Sequence, residues 1–367
     1  PAVSCSVGFS CVWSDRTYDS VGQEACRHVR TISPQRLWLF RWQDRRVVMR
    51  ISIAMATYNG AAHIQQQLES FLSQTYPPDE VVVCDDCSTD ETIEILESFR
   101  ESAPFTVAIH RNEKNLGYTK NFEKALQNCS GDLIFLSDQD DVWFPNKVER
   151  VTVVFLAHPD KLLVIHDGEL VDENLVSHGA TKLRQIKKGY GTDKSFMTGA
   201  LTAIRGSFLP YIIPIPLGII GHDRWIHNLA RLVKTRIVID QALQLIRRHS
   251  SNTSTWVASS VHRISWWDVL RSQLETPAAN GYLERLRMNE ASQTRLRNAP
   301  NSDDLFSTEV ISEAIDYLMR EKKALLARES LLGQKSFNRK VLSVQLLLRN
   351  DYRFFDGYKS FFRDIAR

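Results

Sequence analysis

The chain has 367 residues, of which 43% are apolar and 24% charged, so it is expected to be an ordinary globular protein of one or two domains rather than a disordered one. A formal net charge of +3 excludes a strongly basic surface and argues against nucleic acid as a partner, while leaving scattered Arg and Lys for phosphate or membrane contacts.

Residues 1–48 contain no Lys and no sustained helical or strand period, and the first methionine is Met49. They are expected to be an N-terminal extension outside the native fold, which would start at Met49. Their apolar residues follow no basic leader and precede no clear cleavage site, so they do not read as a secretion signal. Six unevenly spaced cysteines make no disulfide framework, and a cytoplasmic location is expected. Cys84 and Cys87 form a lone CxxC with no second pair and no nearby His at ligand spacing, more in keeping with two small buried thiols than with a zinc or redox site.

From Arg50 onward β-rich runs alternate with helical patterns, which predicts an α/β domain with a largely parallel sheet. The strands are expected at Ile51 to Ala56, Glu80 to Cys84, Thr106 to His110, Asp132 to Leu136 and Leu162 to Ile165. Helices are expected from about Ala61 to Gln74, from the cap chemistry of Ser88 to Glu91 through Phe99, from Thr119 to Asn128 and from Pro145 to Leu156. The polar stretch from Asp172 to Lys194 reads as a loop and a candidate acceptor lid. Met197 to Ile204 and Arg236 to Ile239 look strand-like, and His222 to Leu232 helical. The longest apolar run, Leu209 to Ile220, is 12 residues and is broken by three prolines, too short for a membrane span of roughly 20 residues. From about Val257 the chain reads as helices, notably Asp303 to Leu332, whose apolar stripe suits packing better than a membrane-binding face. The expected domains are therefore 49–255, an α/β unit, and 256–367, a helical C-terminal region.

Three groups of residues carry chemistry. Asp138-Gln139-Asp140 follows the apolar run Leu133 to Leu136; residues two apart at a strand end project to one side, so both carboxylates can meet one hard cation, Mg2+ or Mn2+. Asp85 and Asp86 end the second strand beside Ala56-Thr57-Tyr58-Asn59 at the end of the first. There Tyr58 can stack on a base and a carboxylate can accept from a pyrimidine N–H, while turn and cap chemistry is an equally available use for one of the acids. Asp223 stands at a helix start, where it can be a cap or a base.

Taken together, Ser52 to Gly60, Cys84 to Asp90, Asn115-Leu116-Gly117 and Ser137 to Asp141 with Trp143 and Pro145 resemble family 2 glycosyltransferases in order and spacing, over about residues 50 to 250. The resemblance implies a GT-A nucleotide-diphospho-sugar transferase fold, a Rossmann-like mixed sheet flanked by helices. It gives Ala56, Thr57, Tyr58, Asn59, Asp85, Asp86, Gly117 and Asn121 to the nucleotide, and Asp138 and Asp140 to the metal and diphosphate. Gly221-His222-Asp223-Arg224-Trp225 resembles the His-Asp-x-Trp element of rhamnosyltransferase-like members, which makes Asp223 the catalytic base and puts His222 and Trp225 near the acceptor. Arg247 to Asn252 resembles an Arg-x-His-x-x-Asn segment of the same subgroup, which offers Arg248 to the diphosphate and His249 to metal. Thr198-Gly199-Ala200 resembles an acceptor-side strand in which Gly199 permits close approach, and His166 and Asp167 end another strand at the same edge.

The implied activity is an inverting, metal-dependent glycosyltransferase of bacterial surface polysaccharide synthesis. Its donor would be a dTDP- or UDP-sugar such as dTDP-rhamnose, its acceptor a glycan or lipid-linked glycan, and peripheral membrane contact through the tail is compatible with it. A nucleotidyltransferase would show a glycine-rich basic loop after the first strand, and a dinucleotide enzyme a GxGxxG; neither is present. A non-catalytic nucleotide-binding module is the remaining alternative.

Overall fold

The computed structural model describes residues 49–188, 195–249, 259–263, 265, 281–298, 305–332, 334, 336–355 and 357–366. The expected extension at 1–48 lies outside them. Strand β1, Ile51–Thr57, alternates as its sequence demands: Ile51, Ile53 and Met55 face one side of the sheet and Ala54 the other, all of them fully buried. β2, Glu80–Asp85, pairs parallel with β1 and with β3, Thr106–Arg111, and β1 pairs parallel with β4, Leu133–Ser137. Strands buried on both faces read as nearly continuous apolar runs, as Val81-Val82-Val83-Cys84 does.

Helices cover both faces. α1, Ile64–Leu72, α2, Thr92–Ser102, and α4, Lys147–Ala157, lay Leu68, Phe71, Leu96, Val151 and Phe155 against Ile53 and Phe135. α3, Tyr118–Gln127, and α7, His222–Leu232, lay Phe122, Leu126, Ile226 and Leu229 against Ala54, Ile134 and Leu136. Each such side chain contributes about 1.5–3 kcal/mol on burial, so Ile53→Ala would cost about 2–5 kcal/mol through the lost contacts and the cavity.

The nine-stranded sheet runs β3-β2-β1-β4-β8-β6-β9-β5, with β7 beside β6. β8, Thr202–Arg205, is antiparallel to both β4 and β6, Leu163–Val171, and β9, Arg236–Arg247, returns parallel to β6 and carries the two-residue β5, Val142–Trp143. The C-terminal ends of β1, β2 and β4 therefore share one edge, where open α/β sheets bind ligands. At the opposite edge Glu80 fastens the strand starts: its carboxylate accepts from Ser52 Oγ and, at 2.7 Å, from Ser130 N.

Two expectations are corrected. The polar stretch after Val171 is not a loop: it forms the edge strand β7, Ser177–Thr181, and α5, Lys182–Lys188, because Ala180 pairs with Leu170 and Leu183 and Ile186 enter the core. Residues 189–194 of that stretch lie outside the described residues. Nor is Gly199 in a strand: Gly199–Leu201 is a turn of 3₁₀ helix leading into β8. The short α6, Leu209–Ile212, precedes α7, and after β9 the described elements are all helical: α8, Tyr282–Arg297, α9, Thr308–Leu332, α10, Ser336–Leu348, and α11, Tyr358–Ala366. Among the described residues no helix is long and apolar enough to cross a membrane.

Candidate active site

The ledge at the ends of β1 and β2 is made by acids whose oxygens are already in use. Asp85, fully buried, accepts from Thr57 Oγ1 at 3.0 Å, Ser88 N at 2.9 Å and Ser88 Oγ. Asp86 accepts from Asn112 Nδ2 at 2.9 Å, Leu116 N at 2.7 Å and Gly117 N at 2.8 Å, so it holds the loop before α3 onto the end of β2. Gly117, at φ +77°, makes the turn that brings its N–H there. Asn121 donates to Cys84 O at 2.8 Å and Thr57 O at 3.2 Å, tying the two strand ends together. On this ledge Tyr58 stands half exposed beside Ala56, while Asn59 accepts from Thr89 N at 2.8 Å. Cys84 is buried, which pushes its thiol up to about 11, and Cys87 donates to Asn112 O; neither is set up for redox chemistry.

The loop after β4 is built differently. Gln139 grips the backbone of Tyr58 at two points, accepting from its N–H at 2.8 Å and donating to its carbonyl at 3.0 Å. Gly60 makes room for that grip, since a Cβ there would lie 2.4 Å from Gln139 Oε1. With Gln139 turned toward β1, Asp138, Asp140 and Asp141 gather their carboxylate oxygens within 4.8 Å of one another. Asp141 is buried and accepts from Gln244 Nε2 at 2.7 Å and Arg247 N at 3.1 Å. Arg247 braces the loop from below, donating to Asp140 O at 2.8 Å, to Glu173 O and to Gln66. Asp140 Oδ2 is 2.7 Å from His249 Nε2, and the rings of His249 and His63 lie 4.9 Å apart.

This crowding has an electrostatic consequence. Burial, then the charges of Asp140 and Asp223, push the Asp138 carboxyl up to about 7, and burial with the two neighbouring acids raises Asp141 as well. Buried Lys147 is linked to Asp141 through Gln244, which accepts from its ammonium and donates to the acid, and burial holds the Lys147 pKa well below the usual lysine range. Three oxygen-donor acids gathered this closely fit a hard divalent ion such as Mg2+ or Mn2+, with half-buried Asp138 and Asp140 the more accessible of them.

Across from this cluster α7 begins at Gly221, whose N–H donates to Thr119 Oγ1 at 3.0 Å. Asp223, in the first turn, is half-buried, accepts from Arg224 N at 2.7 Å and is near enough to raise Asp138. His222 stacks on Phe122 at 3.9 Å, and Gly199 is where it is because a Cβ would sit 2.5 Å from His222 Nε2. Among the described residues neither ring nitrogen of His222 has a hydrogen-bond partner, and burial lowers its pKa. Trp225 lies wholly inside the core, its Nε1 donating to Ile212 O at 2.7 Å, an anchor for α7 rather than a surface for a ligand. His166 and Asp167 are likewise buried, with Asp167 accepting from Leu183 N at 2.8 Å. Half-buried Arg248 feels the charges of Asp140 and Asp141, and burial, then Arg248, lowers Lys182 to about 8.

Sequence reasoning passed over Gln139, Asp141, Lys147, Lys182, Gln244 and Arg247. Asp141 stands in the acidic run and Arg247 opens the Arg-x-His-x-x-Asn segment, whereas nothing in the spacing of Lys147 or Gln244 announces that they converge.

A mixed sheet with an acid cluster at the edge where its parallel strands end defines a GT-A type of α/β domain. Residues 52–204 match the model of glycosyl transferase family 2. An uncharacterised glycosyltransferase of Nostoc sp. is 31% identical over 126 residues, covering 34% of this chain and 38% of that protein. The dTDP-rhamnosyl transferase RfbG of Shigella flexneri is 36% identical over 100 residues, covering 26% of this chain and 35% of its own. The crystal structure of S. aureus TarS 1–349 with UDP superposes with a TM-score of 0.47 at 17% identity, covering 75% of this chain and 91% of that one. The chain spans about a third to a half of the length of the curated relatives it matches first.

Proposed function

We propose that this protein transfers a sugar from a nucleoside diphosphate to an acceptor hydroxyl with inversion at the anomeric carbon. The observation that carries the proposal is the meeting of Asp138, Asp140 and Asp141 beside half-exposed Tyr58 at one sheet edge. Tyr58 stacks on the base, and the Asp86 ledge with Asn121 shapes the pocket that receives it. Asp138 and Asp140, with His249 beside them, hold the divalent ion, which when bound neutralises the leaving diphosphate. Arg248 offers a fork to phosphate oxygens, and Lys182 adds positive charge nearby. Asp223 accepts the proton of the attacking hydroxyl, a contribution of about 10²–10⁴-fold for a positioned base. Attack opposite the departing diphosphate gives the inverted product.

The similarity to a dTDP-rhamnosyl transferase makes dTDP-rhamnose the first donor to test. The acceptor in this reading is a glycan or lipid-linked glycan at the cytoplasmic face of a membrane, within bacterial surface polysaccharide synthesis. Residues 49–255 form the transferase domain and 256–367 a helical region. The test is a panel of dTDP- and UDP-sugars assayed for release of free nucleoside diphosphate with manganese and with EDTA. One donor is expected to turn over only with the ion and to raise the melting temperature; no turnover and no stabilisation by any nucleotide would refute the assignment.

A further inference from the structure

Helix α10 has two apolar faces, and the described residues cover only one. Leu342, Leu346 and Leu347 pack inward on a small core with Leu331, Tyr352 and Phe361. Phe337, Val341, Val344 and Leu348 point outward, 78%, 43%, 44% and 81% exposed. Their spacing of four, three and four residues makes a single stripe along the helix. α11 repeats the device on a smaller scale, with Tyr358 and Phe362 exposed one turn apart. An apolar face of this kind marks a contact that the folded chain itself does not make.

Charge says what covers it. α10 contains Arg339 and Lys340 and no acid, and Arg349, Arg353, Lys359 and Arg363 follow. Residues 336–366 hold those six basic residues against Asp351, Asp356 and Asp364, an excess equal to the +3 of the whole chain. Asp351 is paired with Arg349 at 3.1 Å, and Asp364 is buried under Arg328 at 2.7 Å. A second copy docked through the same stripe in a two-fold dimer would set these basic residues against their own images. An apolar stripe on an acid-free helix, in a segment with an excess of Lys and Arg, instead matches a bilayer bearing anionic headgroups, into which the apolar side chains insert while exposed cations such as Lys340 stay at the surface.

We propose that α10, supported by α11, docks this protein on an anionic lipid surface. The inference goes beyond the transfer reaction and is tested without a donor, so its failure leaves the assigned chemistry untouched, and the reverse holds too. The full chain would be floated with vesicles of phosphatidylcholine alone or with added phosphatidylglycerol. It is expected to rise with the anionic vesicles and to be released by high salt, while remaining behind with the neutral ones. Phe337→Glu with Leu348→Glu should lower the bound fraction about ten-fold or more with an unchanged melting curve; Phe337→Ser with Leu348→Gln is the milder pair should folding suffer. The proposal is overturned if the wild-type chain ignores anionic vesicles or if both double variants float as well as it does. It is equally overturned if gel filtration shows a wild-type dimer that the variants convert to monomer, for the stripe then covers a second copy.

Discussion

The acid pair that closes β2 and Asp138, in the acid cluster that follows β4, look alike in sequence, yet the fold treats them in opposite ways. Asp85 and Asp86 receive hydrogen bonds from Thr57, Ser88, Asn112, Leu116 and Gly117. The Asp138 carboxylate receives none among the described residues and is pushed up to about 7 by burial and by its acidic neighbours. Acids supplied with donors stabilise a fold, and acids deprived of them are left for a ligand. Substitutions should therefore separate the two sites cleanly.

The largest separation is expected from alanine. Asp138→Ala or Asp140→Ala should lower transfer about a thousand-fold or more while the urea midpoint of the ion-free protein holds or rises. Asp86→Ala should instead cost about 2–4 kcal/mol of stability, because three donors lose their acceptor. If Asp138→Ala unfolds the protein, the contrast fails. Next in size, Asp223→Asn should lower kcat about 10²–10⁴-fold with little change in donor KM or melting temperature; a wild-type rate would remove Asp223 as the base. Gly60→Ala, which sets a Cβ against Gln139, is expected to raise donor KM about ten-fold and to cost about 1–3 kcal/mol, measured by steady-state kinetics and urea titration.

The smallest effect is a pair of opposite pH trends. Asp138 binds its proton more tightly folded than unfolded, so in EDTA its contribution is fully present below the ordinary carboxylate range and is lost as pH rises through about 7. Manganese should accordingly raise the melting temperature more at about pH 8 than at about pH 6. Glu80 runs the other way. Burial works against its charge, but hydrogen bonds from Ser52 and Ser130 outweigh burial and lower its pKa. Its contribution is present above the ordinary carboxylate range and lost as pH falls through the lowered value, and Glu80→Gln should flatten the acid limb of the melting curve.

The parallel half of the sheet was legible because β1, β2 and β4 are buried on both faces and written largely in apolar residues. The antiparallel half was not. β7 is an edge strand whose Ser177, His178 and Gly179 are all exposed, so it carries no apolar alternation. β9 was expected to stop at Ile239, since Asp240-Gln241 breaks its pattern; the register shift opposite His166 and Asp167 absorbs that break and lets the strand run on to Arg247. In the site, the short-range signals were readable and the long-range ones were not. Asp138 and Asp140 stand two apart after an obvious strand, whereas Arg247 reaches Asp140 from more than a hundred residues away and only the closed sheet brings them together.

Gln139 would pass for a spacer between two acids. Because it clasps the backbone of Tyr58 from both sides, the seat for an aromatic base and the acidic grip belong to one stiff bracket. On the assigned reaction that bracket works as a gauge: a nucleoside without a pyrophosphate tail can reach one jaw and leaves the other idle.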